Sequence, residues 1–323
     1  MNKMKITVFA DPVCTWCWGS VPVLRALRYR FGEQLEFDYV MGGMVEDIVE
    51  YGKRELASGK DIAVANREIH RHWLDASAVH GMPVCESGFR LFGEDRRSSL
   101  PLNYAYLAAK VYVQENSLIA PTETHLRFLR RLQEATAVDA LVTTDAVNIF
   151  DLSATVGFSP EKFRYIYHSE TVRRLYEEGK VLCRKYDVQG FPTYRLEYRG
   201  KEMFLRGYST FDILLNAVEE LSSGDIKPLD DGREVPTVGN VRSFMESCRN
   251  AYPVEIATAF SLKRHSGHTP INVESYEGLP DIMSELVENG FAAMVPRGNG
   301  FMLYLLNKDN KMKEERRFLA GVL

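Results

Sequence analysis

Apolar positions along this chain change their spacing several times, and each change marks an element. Lys5–Ala10 (KITVFA) is β-branched and aromatic and stops at Asp11 and Pro12, where a ladder N–H is lost, so it predicts a first strand. Trp18–Phe31 then repeats Val21, Leu24, Leu27 and Phe31 at helical spacing, with Pro22 near its start and Gly32 as a stop. Leu35–Val40 (LEFDYV) alternates ahead of Gly42 and Gly43, which predicts a second strand parallel to the first in a β-α-β start.

From about Glu46 to Tyr186 strand patterns almost vanish and helix signals take over. Ser99 and Pro101 open one amphipathic helix, and Ser159, Pro160 and Glu161 open another. The last helix of this block carries Val172, Leu175, Tyr176, Gly179, Leu182, Cys183 and Tyr186 on one stripe, which must face a core. Thr193–Tyr198, the turn Arg199-Gly200-Lys201 and Glu202–Arg206 predict an antiparallel hairpin, and a helix follows from Thr210. Gly, Pro, Ser and Asp concentrate between Ser222 and Pro236, so residues 225–236 are expected to be a linker between residues 1–224 and a small α/β unit over 237–323. In that unit the spacing predicts a helix around Val241–Tyr252, a strand at Val254–Phe260, a helix at Leu279–Glu288 and a hairpin around RGNG.

Composition narrows the class without naming a reaction. The 323 residues are 45% hydrophobic and 26% charged, as in globular proteins rather than disordered chains. Forty Lys plus Arg against 44 Asp plus Glu leaves a net charge of −4, which gives no electrostatic reason to bind nucleic acid or an anionic membrane. Neither a run of eighteen apolar residues nor a signal-peptide core is visible, and cytoplasmic residence is the expectation. Five cysteines are too few and too scattered for a disulfide framework, so any pairing should be local and functional.

Cys14-Thr15-Trp16-Cys17 lies between the first strand and the first helix. Unpaired N–H groups and the positive dipole end of a helix favour a thiolate there, so Cys14 is placed to attack and Cys17, one turn on, to resolve a mixed disulfide. Cys-x-x-Cys also builds half of a structural zinc site. Cys85, Cys183 and Cys248 lie far apart, however, with no Cys or His at ligand spacing, so no metal is expected. The second motif is Gly190-Phe191-Pro192-Thr193 at the entry to a strand. A cis bond before Pro192 would turn the chain sharply and leave the Phe191 backbone free to pair with an extended peptide.

Both motifs, in this order around a helical block, resemble the thioredoxin fold with the large helical insertion (about 46–186) of the DsbA-like family. The segment DPVCTWCWGSVP is similar to the cytoplasmic branch of FrnE-like dithiol-disulfide isomerases and SpxH-like adaptors. The resemblance spans roughly residues 4–222. It implies a thiol-disulfide oxidoreductase with a redox-active Cys14–Cys17 disulfide, no other cofactor, and Pro192 as the cis-proline. Its partners would be protein or small-molecule disulfides, glutathione among them. Thr15, Trp16, Phe191 and Thr193, which flank the motifs, are then the candidate substrate-binding residues. Where the periplasmic oxidant of the family has a histidine, this chain has Thr15-Trp16, so one influence that depresses a thiol pKa is gone and the disulfide should be less oxidising. An SpxH-like adaptor or redox sensor is the alternative. A kappa-like glutathione-dependent isomerase or transferase is weaker, because that branch has a serine where Cys14 stands.

The remaining signals read as structural. Trp18 and Met41 are expected in the core, and Cys85, Cys183 and Cys248 as packing residues. His70 and His72 should point to different helix faces, and His265 and His268 flank a Ser-Gly loop; neither pair has enough companions for a metal.

Overall fold

β1 (Met4–Ala10), a short α1 (Thr15–Gly19), α2 (Val21–Phe31) and β2 (Leu35–Met41) form the expected β-α-β start. The computed structural model describes residues 3–56, 59–116, 123–264 and 273–306, so His265, His268 and residues 307–323 lie outside the description. The one helix expected from Trp18 is two. Pro22 has no N–H to give and its ring excludes the carbonyl four residues back, so the helix breaks at Ser20, whose hydroxyl instead bonds the Trp16 carbonyl at 2.7 Å.

α3 (Ile48–Glu55), α4 (Ile62–His80), α5 (Leu100–Glu115), α6 (Thr124–Ala137), α7 (Ala146–Thr155), α8 (Pro160–Tyr167) and α9 (Glu170–Lys185) make up the helical insertion. The α5 helix is its buried axis, with Leu102, Ala105, Tyr106 and Ala109 fully enclosed. The predicted stripe of α9 buries Val172, Tyr176 and Gly179. Gly179 is needed there because a Cβ would sit 2.7 Å from the Met41 carbonyl oxygen, so only glycine lets this helix lie directly on β2.

β3 (Thr193–Tyr198) and β4 (Lys201–Arg206) are the predicted hairpin, followed by α10 (Phe211–Ser222). Strand order is β2-β1-β3-β4, with β1 parallel to β2 and antiparallel to β3. The antiparallel register pairs Phe9 with Thr193, which carries the start of β3 to the end of β1 where Asp11 and Cys14 follow. Two motifs separated by the whole insertion thus meet at one end of the two central strands.

The chain continues through α11 (Val238–Glu246), β5 (Asn250–Ala251), α12 (Pro253–Ala259), α13 (Leu279–Glu288), β6 (Ala292–Arg297) and β7 (Gly300–Leu305), the strands ordered β5-β7-β6. The strand expected at Val254–Phe260 is the helix α12. Apolar residues at every second position suggested a strand, but Pro253 opens the first turn and the Glu255 carboxylate caps the Tyr252 N–H at 2.7 Å, while Ala257 and Ala259 favour helix. Segment 225–236 runs along α2: Ile226 is buried, the Leu229 N–H donates to the Arg30 carbonyl at 2.8 Å, and Arg233 donates to the Tyr29 carbonyl at 2.6 Å. Among the described residues no helix is long and apolar enough to cross a membrane.

One carboxylate fixes α12 against the rest. Glu255, fully buried, accepts from Arg25 of α2 at 2.7 Å and from Arg130 of α6 at 2.6 Å. Burial works to raise its pKa, but Arg130 and Arg25 outweigh burial and hold the carboxyl below its usual range. Replacing Glu255 by Gln leaves the buried Arg25 guanidinium without a counter-charge and Arg130 with only Glu134, 4.0 Å away. Urea unfolding at pH 7 should lose about 3–5 kcal/mol; a loss under about 1 kcal/mol would show that water reaches these groups.

Candidate functional site

The site begins at Asp11, the residue that ends β1. Its carboxylate is fully buried and accepts four hydrogen bonds: from the Val13 N–H at 2.8 Å, the Met44 N–H at 2.7 Å, the Ser99 hydroxyl at 3.0 Å and the Asn103 amide at 2.9 Å. Burial raises its pKa and these donors pull it back. Asp11 therefore ties the loop before α1, the loop after β2 and the first turn of α5 into one rigid corner. From that corner the Cys14 N–H donates to the Asp11 carbonyl at 3.0 Å, and α1 starts with Cys14 as its N-cap.

Cys14 and Cys17 are free thiols. The Cys14 sulfur accepts the Cys17 N–H at 3.3 Å and donates to the Phe191 carbonyl at 3.3 Å. The bond between Phe191 and Pro192 is cis. Cys17 lies deeper. Burial pushes its thiol pKa well above the ordinary value, and its hydrogen bond to Cys14 adds to the effect, so it is protonated at neutral pH.

Over Cys14 lies a cavity of about 150 Å³ walled by residues from five parts of the chain. Thr15 and Trp16 come from α1, Met44 from the loop after β2, Tyr51 from α3, Ile69 and Trp73 from α4, and Phe191 from the cis-proline loop. Gly42 makes room for Phe191, since a Cβ there would stand 2.1 Å from the tip of its ring. The Thr15 hydroxyl is buried and has no hydrogen-bond partner among the described residues. Trp16 stands among His72, His80 and Tyr208, with ring centroids 6.1, 5.9 and 5.7 Å away.

His80 supports that indole from beneath. Its Nδ1 accepts the Met82 N–H at 3.0 Å, its Nε2 has no partner among the described residues, and burial pushes its pKa down to about 3. Gly19 allows it to sit there, because a Cβ would lie 2.4 Å from the imidazole.

Of the residues expected from sequence, Cys14, Thr15, Trp16 and Phe191 share this cavity. Cys17 and Pro192 are buried beside it, and Thr193 turns its hydroxyl to the Gly190 carbonyl at 2.8 Å instead of lining it. Trp18 and Met41 are core residues, each 1% exposed. His70 and His72 do part: His70 meets the Cys85 carbonyl at 2.7 Å, while His72 faces Trp16 and the cavity. Asp11 and the α3–α4 wall of Tyr51, Ile69 and Trp73 escaped the sequence reading. Asp11 was visible only as a strand stop, and the wall comes from helices whose stripes look like ordinary core.

A family model described as Thioredoxin matches residues 7–214. The chain belongs to that family. Among curated proteins it is similar to the ClpXP adapter protein SpxH of Bacillus subtilis, 22% identical over 264 residues, covering 81% of this chain and 79% of that one. Among solved structures it is similar to a protein disulfide isomerase candidate from Nitrosomonas europaea, with TM-score 0.56 and 19% identity over 69% of this chain and 100% of the other. The cytosolic disulfide reductase DsbM from Pseudomonas aeruginosa aligns at TM-score 0.48 and 21% identity, over 68% and 93% of the two chains. The fold is thus a thioredoxin fold of DsbA-like form with a small C-terminal sheet and helices added.

Two measurements probe the corner and its support. An Asp11→Asn change turns one acceptor into a donor facing N–H groups, so stability in urea should fall by about 3 kcal/mol; an unchanged midpoint would contradict the four-donor arrangement. For His80 the folded pKa lies below the unfolded value, so the unfolded chain takes up the extra proton and stability falls as pH drops through about 6.5. Between pH 7 and pH 5 this one residue should cost about 2 kcal/mol. His80→Asn, which keeps an acceptor for the Met82 N–H, should flatten the loss by that amount.

Proposed function

We propose that the protein exchanges disulfides through Cys14 and Cys17. The observation that carries the reading is the Cys14 sulfur held between the Cys17 N–H and the carbonyl before cis-Pro192, on the wall of the cavity of about 150 Å³. As a thiolate, Cys14 attacks one sulfur of a substrate disulfide; a Cys14–substrate disulfide forms and the other half leaves as a thiolate. Cys17 then loses its proton and attacks Cys14, which forms Cys14–Cys17 and releases the second substrate thiol. The dithiol gives up two electrons and the substrate takes them, so no further cofactor is needed. Thr15, Trp16 and Phe191 contact the substrate, Pro192 positions the Phe191 carbonyl, and Thr193 braces that loop from behind. The substrate is a protein or small-molecule disulfide, with glutathione disulfide the simplest case, and a reducing direction fits a cytoplasmic setting.

A second reading, an adaptor like SpxH, is favoured by one observation. The 264-residue similarity to that adapter is longer than the thioredoxin region at 7–214 and so takes in part of the C-terminal segment. The adaptor reading requires binding, and in the limit no turnover.

Reduction of insulin or of glutathione disulfide by the dithiol form separates the two. Wild type should reduce both, Cys14→Ser neither, and Cys17→Ser should accumulate a mixed disulfide at Cys14. Inactivity of wild type, with acceleration of ClpXP proteolysis by the Cys14→Ser/Cys17→Ser double variant, would favour the adaptor. Equilibration with glutathione should give a potential nearer to thioredoxin's, about −270 mV, than to the periplasmic oxidant's, about −120 mV.

A further inference from the structure

α2, α6 and α11 enclose a cavity of about 270 Å³ that shares no lining residue with the one over Cys14. Its wall is strongly cationic. Arg25, Arg28, Arg127, Arg130 and Arg233 face it against a single lining carboxylate, Glu123. Arg25 and Arg130 share Glu255, Arg130 also has Glu134 at 4.0 Å, and Arg233 is paired with Asp231 at 2.6 Å. Arg28 reaches only the Tyr39 hydroxyl at 3.3 Å and the face of Phe37, and Arg127 has no ionic partner among the described residues.

One buried polar group on the same wall is also unsatisfied among the described residues. The Arg25 Nε is enclosed without a hydrogen-bond partner, in a side chain 7% exposed. Gln133, 5% exposed, lines the cavity and makes no hydrogen bond among the described residues. Buried donors left open cost free energy, and planar guanidiniums match carboxylate and phosphate oxygens two at a time.

We propose that this cavity binds a small multivalent anion bearing carboxylate or phosphate groups. Arg28 and Arg127 supply the uncompensated charge, and Gln133 adds a neutral donor from within. Cys248, expected from sequence to be packing, is half-buried in this wall and also borders a smaller cavity beside Arg127 and Arg130. An occupant therefore covers its thiol, which makes Cys248 a reporter for the site.

The test uses the full chain, with inorganic pyrophosphate and citrate as probes and sodium chloride at matched ionic strength as control. Alkylation of Cys248 by N-ethylmaleimide is followed by peptide mass spectrometry. At least one probe should slow it five-fold or more, saturably. Arg127→Gln should raise the half-protecting concentration at least tenfold, and Arg28→Gln, the second variant, should raise it as well. Protection by pyrophosphate alone assigns the site to phosphates, by citrate alone to polycarboxylates, and by both to either class. Protection no greater than with sodium chloride, or equal in wild type and both variants, would overturn the proposal.

Discussion

Four donors converge on the buried carboxylate of Asp11, and the geometry around Cys14 depends on that convergence. A carboxylate out of water is costly unless each oxygen is satisfied, so the loop before α1, the loop after β2 and the start of α5 have one arrangement that meets the cost. Cys14 follows three residues later with its own N–H on the Asp11 carbonyl. The position of the sulfur is thus set by polar bonds in the interior, and the antiparallel register of β1 with β3 brings the cis-proline loop up to it.

Much of this was legible from the sequence where the signal was local. The β-branched run of β1, the alternation in β2 and the Arg199-Gly200-Lys201 turn each carry their own instruction, and both motifs sit at element boundaries that such patterns mark well. Legibility failed where a tertiary partner decides. Val254, Ile256, Thr258 and Phe260 alternate like a strand, yet α12 forms because Pro253 and the Glu255 cap open a helix that then buries Glu255 between two arginines. Trp73, a core residue, and Tyr51, packed against the core, also border the cavity over Cys14, because the Phe191 loop reaches the same place from a distant part of the chain. No spacing rule within α3 or α4 contains that information.

Arg25 shows how the C-terminal segment is joined to the thioredoxin part. Its guanidinium meets Glu255, the Asn250 carbonyl and the Phe244 carbonyl at once, so one side chain of α2 contacts α11, β5 and α12. The family match ends at residue 214, but the surface of α2 that faces away from the sheet is finished by residues beyond it.

The short stretch after α4 gives this junction a mechanical side. The Trp18 indole, one residue from Cys17, hangs on the Pro83 carbonyl at 2.9 Å, and the adjoining Val84 is clasped on both its N–H and its carbonyl by Asn299 in the turn between β6 and β7, each at 2.9 Å. Tyr252 meets the same indole edge to face at 5.9 Å. A tug on that distal turn has only one peptide link to cross before it reaches the helix that bears the two sulfurs. The β6–β7 turn and the helix that carries Cys17 are thus tied through a single dipeptide, Pro83-Val84.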